Sequence, residues 1–342
     1  MTGYDASVLN SPKARILIVA PNWLGDGIMA MPAVQELRSY MHPDARILVA
    51  ARPSQTGLWT MQPAVSEVIS LPASTSKLVQ SAKKLKAKQL RHAVLLPHSF
   101  RAALLCALAG IPHRRGTTFQ TGRPFLIQDP VNVDELENEH QQWEIAKLLL
   151  PMPLPKALPL PHIEPSKEAM NEAEQLISAL PRPLLGCIPG AARGPSKQWP
   201  GDRFQAVAEA WIHQTGGSVC WLGTPADIRL CQSLNTPLDK RGVTLAGKTS
   251  LSVFTALLQK MDQALVNDSG GMHLAAAVGT PLVAIFGTTD PAKTGPLSKD
   301  AVVLQKSDLK NRSIDRKSVP AQEALARITV EEVLEPTLAK HI

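Results

Sequence analysis

Short apolar runs alternate along the whole chain with segments whose apolar positions recur every three or four residues. That alternation is the signature of parallel sheets whose strands are joined by crossover helices, and it predicts an α/β protein. In the first half the predicted strands are 15–20, 46–50, 65–71 and 93–97, with helices over 32–41, 77–90 and 100–109. In the second half they are 184–188, 218–222, 243–246, 264–267 and 282–286. After the first of these, Phe204, Val207, Ala208 and Trp211 form one apolar helical stripe, with Asp202 as a candidate N-cap and Gly216-Gly217 as the stop.

Length turns this pattern into two domains, because 342 residues exceed what one ordinary core holds. A boundary is visible where Pro151, Pro153, Pro155, Pro159, Pro161 and Pro165 crowd into a segment that can be neither helix nor central strand. The expected division is residues 1–170, then 171–328, with a last helix in 329–342 that could join either domain. Residues 1–13 are polar and do not read as a signal peptide. The longest apolar stretch, 102–111, falls short of the ~20 residues a membrane-spanning helix needs.

Charge adds a second asymmetry. The net charge is +7, and no acidic residue lies between Glu67 and Asp129. That stretch carries Lys77, Lys83, Lys84, Lys86, Lys88, Arg91, Arg101, Arg114, Arg115 and Arg123. Lys83 to Lys88 read as a solvated helix face; the whole half is suited to an anionic partner. Nucleic acid is not expected, since aromatic residues make up 4% of the chain, too few for stacking platforms. Cys106, Cys187, Cys220 and Cys231 stand singly, without metal or dithiol spacing, which fits a reduced cytoplasmic setting.

Two motif matches fail on geometry. Gly25-Asp26-Gly27-Ile28-Met29-Ala30 has the glycine spacing of a dinucleotide turn, but four residues separate it from the strand and the second strand ends without an acidic ribose ligand. Residues 242–249 (GVTLAGKT) match the P-loop string, and 264–268 resemble a strand with a magnesium-binding aspartate. A P-loop, however, curls around phosphate after its strand. Here the four variable residues are themselves the strand, leaving a turn at Gly247 and a helix capped by Thr249 or Ser250. A P-loop NTPase remains the alternative from a different class.

Three segments stand at the carboxyl ends of strands, where open α/β sheets bind ligands. In Asn22-Trp23-Leu24-Gly25-Asp26-Gly27, an acid between two glycines suits a general base reaching into a cleft; it would equally serve as the N-cap of the next helix. The loop 189–200 combines small residues, which let backbone N–H groups approach a phosphate, with one lysine, Lys197, to meet a diphosphate. In Asn267-Asp268-Ser269-Gly270-Gly271-Met272-His273, a Ser-Gly-Gly helix start presents free N–H groups and the positive end of a helix dipole. His273 could contact the same ligand or simply be packed.

Taken in order, Trp-Leu-Gly-Asp, Pro-Gly-Ala with Lys-x-Trp-Pro, Leu-Ala-Gly-Lys-Thr-Ser-Leu and Asn-Asp-Ser-Gly-x-Met-His resemble the ADP-heptose–lipopolysaccharide heptosyltransferases from about residue 16 to 338. The stretch from Leu96 to Phe100 and that from Ala109 to Arg114 are similar to the same family. The resemblance implies a GT-B fold, two Rossmann-like domains facing each other across a cleft, and inverting transfer without metal or cofactor. It implies ADP-heptose as donor and the lipopolysaccharide inner core as acceptor, with peripheral contact at the cytoplasmic face of the inner membrane. Asp26 matches the family's catalytic base and Lys197 the lysine on the donor diphosphate. Donor-binding positions are expected at Ala192, Arg193, Ser196, Asp227, Thr249, Asp268, Ser269, Gly270, Gly271 and His273. Acceptor-side candidates are His98, Arg101, Arg114 and Arg115. Residues 117–161 and 302–320 depart from the family's pattern, so a related transferase with another acceptor or sugar nucleotide is the alternative within the class.

Overall fold

The computed structural model describes residues 6–72, 74–310 and 315–339; residues 1–5 of the polar start, 311–314 of the divergent 302–320 stretch and 340–342 after the last helix lie outside it. The chain divides into two compact units, Met1–Ile163 and Glu164–Ile342. The division falls a few residues before the expected 170/171. Ser166 N-caps the helix Lys167–Ile177, and that helix packs on a helix of the second unit.

In the first unit a six-stranded parallel sheet has the order β3-β2-β1-β4-β5-β6. Its strands are β1 (Arg15–Val19), β2 (Arg46–Ala51), β3 (Glu67–Ser70), β4 (His92–Leu95), β5 (His113–Gly116) and β6 (Asp129–Pro130). The helices are α1 (Ala6–Leu9), α2 (Leu24–Ser39), α3 (Thr56–Thr60), α4 (Leu78–Lys86), α5 (Phe100–Leu108) and α6 (Gln141–Leu149). The central strand β1 is buried on both faces, so it reads as one continuous apolar run.

The second sheet repeats the plan with the order β12-β11-β10-β7-β8-β9. Its strands are β7 (Leu184–Ile188), β8 (Ser218–Trp221), β9 (Gly242–Thr244), β10 (Gln263–Asn267), β11 (Leu282–Phe286) and β12 (Ala301–Gln305). Around them lie α7 (Lys167–Ile177), α8 (Gly201–Thr215), α9 (Ile228–Asn235), α10 (Leu251–Gln259), α11 (Gly270–Ala277), α12 (Pro291–Thr294), α13 (Val319–Arg327) and α14 (Val330–Leu338). The apolar stripe of α8 is buried, with Trp211 and Phe204 at 0% exposure against Trp221 and Leu265. Burying each large side chain of this kind stabilises the fold by about 1.5–3 kcal/mol. The last helix, α14, packs on α8 of the second unit, behind a capping box formed by Thr329 and Glu332.

Two doubly wound parallel sheets are the GT-B plan. Within each, the strand order reverses beside the first strand of the series, next to β1 and next to β7. Those reversals are where ligands bind in such sheets, at the carboxyl ends of the strands.

Candidate functional site

Asp26 lies inside the first turn of α2, which begins at Leu24; the residue in the N-cap position is Trp23. The N-cap reading of Asp26 is thereby overturned, and the helix starts eight residues before the expected 32. Gly27 of this turn packs closely on Leu58: a Cβ there would sit 2.8 Å from Leu58 Cδ2, so a larger residue would require Leu58 to shift. Gln141 Nε2, at the start of α6, donates to Asp26 Oδ1 at 2.9 Å. One helical turn on, Glu144 Oε1 pairs with His98 Nε2 at 3.0 Å, and His98 Nδ1 meets Thr117 Oγ1 at 2.7 Å. Residues 141 and 144 share a helix face, so α6 links Asp26 to the end of β4.

The arginines fare differently. Arg114 and Arg115 sit on β5 and act as internal struts. Arg114 donates to the carbonyls of Leu126 (2.6 Å) and Ile111, while Arg115 bonds Asp129 (2.5 Å) and the carbonyls of Leu148 and Lys147. These bonds tie β5 to the segments that flank it. Arg101 ties α5 to the carbonyls of Pro72 and Ser74. Arg123, missed by the sequence reading, is fully buried and donates to the carbonyls of Thr117 (2.5 Å) and Ser99 (2.7 Å). Burial lowers the pKa of its guanidinium.

At the carboxyl ends of β7, β10 and β11 a second constellation forms. Lys197 Nζ forms an ion pair with Asp268 Oδ2, the two side chains being 14% and 6% exposed. Asn267 fixes the loop after β7 from both sides. Its Oδ1 accepts from Trp199 N–H at 3.0 Å and its Nδ2 donates to the Pro189 carbonyl at 2.8 Å. Ser269 stands at the N-cap of α11 without capping it, so the helix's first N–H groups have no side-chain partner there. Gly270 and Gly271 form the first turn, and His273 is buried in the next. Ala192 and Arg193 are exposed on the loop after β7.

Among the described residues, the buried hydroxyl oxygens of Ser196, Ser269, Thr288 and Thr289 have no hydrogen-bond partner. Thr288 and Thr289 follow β11 and escaped the sequence reading, although Gly-Thr-Thr-Asp directly after an apolar strand was a usable signal. Gln305 of β12 donates to the carbonyls of Gly287 (2.7 Å) and Thr289 (2.8 Å) and holds that turn. Buried hydroxyls ordinarily find partners. Ser196 and Ser269 adjoin the Lys197–Asp268 pair in the chain, and the N–H groups that open α11 favour an anion.

Asp227 is one of the expected donor-binding positions. Its Oδ2 accepts from Thr224 N–H (2.8 Å) and Thr224 Oγ1 (2.7 Å) in a capping box. Its Oδ1 lies where a Cβ on Gly190 would be, 2.1 Å away, so only glycine fits there. Thr249 is half-buried just ahead of α10, whose cap is Ser250, accepting from Val253 N–H at 3.3 Å. Residues 242–244 form β9 and Gly247 turns in the left-handed region (φ 69°). The P-loop string is therefore strand and turn, with Lys248 exposed, and the NTPase alternative loses its phosphate loop. Among the described residues no group of three or more His, Cys, Asp or Glu could hold a metal ion.

Known proteins point the same way. The chain is 31% identical over 312 residues to lipooligosaccharide heptosyltransferase 2 of Haemophilus ducreyi, covering 86% of this chain and 89% of that one. It is 31% identical to lipopolysaccharide heptosyltransferase 2 of Escherichia coli, covering 85% and 88%. The solved structure of the Escherichia coli ADP-heptose lipopolysaccharide heptosyltransferase II superposes with a TM-score of 0.82 at 29% identity, over 95% of this chain and 98% of that one. A family 9 glycosyltransferase from Veillonella parvula shares the fold, with a TM-score of 0.85 at 24% identity over 96% and 97%. The profile described as Glycosyltransferase family 9 (heptosyltransferase) matches residues 78–322, and with the relatives it places this chain in that family of heptosyltransferases.

Proposed function

We propose that the protein transfers heptose from ADP-heptose to a heptose of the lipopolysaccharide inner core, by an inverting mechanism that uses no metal. The observation that carries the donor half is the buried Lys197–Asp268 ion pair directly before the N-terminus of α11, which no side chain caps. Lys197 and the N–H groups opening α11 would neutralise the diphosphate and stabilise it as ADP departs, with Ala192 and Arg193 of the exposed loop beside it. Asp268 would release part of its hold on Lys197 to the incoming phosphates and meet the sugar. Asp26 of the first unit would take the proton from the acceptor hydroxyl as it attacks the anomeric carbon from the face opposite ADP. Asp227, by its capping of the 225–227 turn, would shape the nucleoside end. His98 remains the acceptor-side candidate, oriented by Glu144. The basic first unit suits a phosphate- and carboxylate-rich acceptor presented at the cytoplasmic face of the inner membrane, where the protein would act as a peripheral enzyme.

The test is transfer assayed with ADP-heptose and with other sugar nucleotides on lipopolysaccharides truncated at successive core sugars, with and without a chelator. Transfer from ADP-heptose to a heptose-terminated core, unchanged by chelation, is the expected result. Activity that disappears with the chelator ends the metal-free mechanism, and preference for another nucleotide or acceptor ends the assignment of substrates.

A further inference from the structure

The solvent side of α5 carries the wrong residues for a soluble surface. Ala102, Ala103, Leu105 and Cys106 face the core and Leu104 packs against it, which leaves Phe100 and Leu108, two turns apart, on the outer arc. Phe100 is 40% and Leu108 50% exposed, with Leu104 half-buried between them. A surface helix normally places polar residues on that arc. Phe125, 89% exposed in the turn beside α5, and Val79, 61% exposed on α4, extend the apolar surface on either side. The helices α4 and α5 pack together, and both connect parallel strands. The outer face of α4 supplies Lys83 and Lys86, with Lys77 just before it, all exposed. No acidic residue occurs in the whole segment between Glu67 and Asp129.

We propose that the outer face of α4 and α5 is a docking surface for an anionic phospholipid bilayer, with Phe100, Leu108 and Phe125 entering the interface and Lys77, Lys83 and Lys86 lying among the headgroups. This rests on the peripheral-membrane reading above and assigns it a surface. Exposed apolar side chains together with lysines, in a segment without an acidic residue, are the composition that binds an acidic membrane in its plane. A second copy of the chain is a poorer occupant, because pairing these faces sets lysines against lysines. No helix of the described residues is long and apolar enough to cross a membrane, so the attachment is to its surface.

Co-sedimentation of the full chain with vesicles tests the idea. One set is an equimolar mixture of phosphatidylcholine and phosphatidylglycerol; the other is phosphatidylcholine alone. Wild type should bind the anionic set, and binding should weaken as salt rises. Leu108→Ser with Phe125→Ser, and separately Lys83→Glu with Lys86→Glu, should each lower partitioning about tenfold or more. Both pairs are exposed, so the melting temperature and transfer to a water-soluble truncated acceptor should not change. If wild type ignores anionic vesicles, the peripheral-membrane reading itself falls. If wild type binds and both double variants bind equally well, the membrane contact stands and this surface is wrong. A wild-type dimer dispersed by Leu108→Ser with Phe125→Ser would overturn the proposal in favour of self-association.

Discussion

Lys197→Met keeps the stem of the side chain and removes only its charge. In the structure that charge is the partner of Asp268, whose side chain is 6% exposed. Removing one member of so buried a pair leaves an uncompensated carboxylate and costs about 3–5 kcal/mol; the lower end applies at a rim open to ligand. A loss of about 3 kcal/mol corresponds to roughly 6–12 °C in the transition of a unit of this size. Turnover should fall by about 10²–10³, the usual cost of losing one group that stabilises a leaving anion. Adding Asp268→Asn separates the two effects: the double variant should recover most of the melting temperature and none of the turnover. Lys248→Met, at an exposed position, should change neither. The assays are a thermal melt with and without ADP, an ADP titration, and steady-state transfer. If Lys197→Met turns over ADP-heptose at the wild-type rate, or if the double variant regains turnover, Lys197 has no part in handling the diphosphate.

Four further outcomes are expected. Asp26→Asn should shift stability by no more than about 1 kcal/mol, because Asp26 does not cap α2, while lowering turnover by about 10²–10⁴; near-normal turnover in a folded protein removes it as the base. Gln141→Met deletes the donor to Asp26 Oδ1 and should lower kcat about tenfold with ADP affinity intact, and an unchanged kcat would show that α6 does not orient the base. ADP at a hundredfold excess over Kd should stabilise the protein by about 2.7 kcal/mol with or without a chelator, as a thermal shift will show; a shift seen only with magnesium contradicts the metal-free donor site. Burial pushes the thiols of Cys106 and Cys220 up to about 12, so both stay protonated and unreactive toward iodoacetamide from neutral pH to pH 9, and rapid labelling of the folded protein would disprove their burial.

The sequence pattern located the central strands of both sheets because burial on both faces writes them as uninterrupted apolar runs. It lost β5, whose His-Arg-Arg-Gly reads as a polar loop; its arginines are satisfied by carbonyls and by Asp129, contacts that no local pattern records. It also lost β12, an edge strand with Val302 and Val303 partly exposed, and β6, which is only two residues long. The Lys197–Asp268 pair and the glycine start of α11 stood in segments the sequence singled out, because glycines, a lysine and an aspartate at strand ends carry their own physical reason. Gln141 and Asn267 were not singled out for a role, since an amide has no motif and its value lies in partners 115 and 78 residues away.

Those long reaches carry a consequence for how the protein is made. The loop that carries Lys197 is held at Trp199 by two ties: its backbone N–H to Asn267 and its indole N–H to the Ile328 carbonyl at 3.1 Å. Neither partner exists until translation has passed residue 267, and the second waits for residue 328 of 342. A chain emerging from the ribosome can therefore assemble its first unit early. The loop at Lys197 is fixed from both sides only once residue 328 has been made, so the two units are completed in sequence and not together.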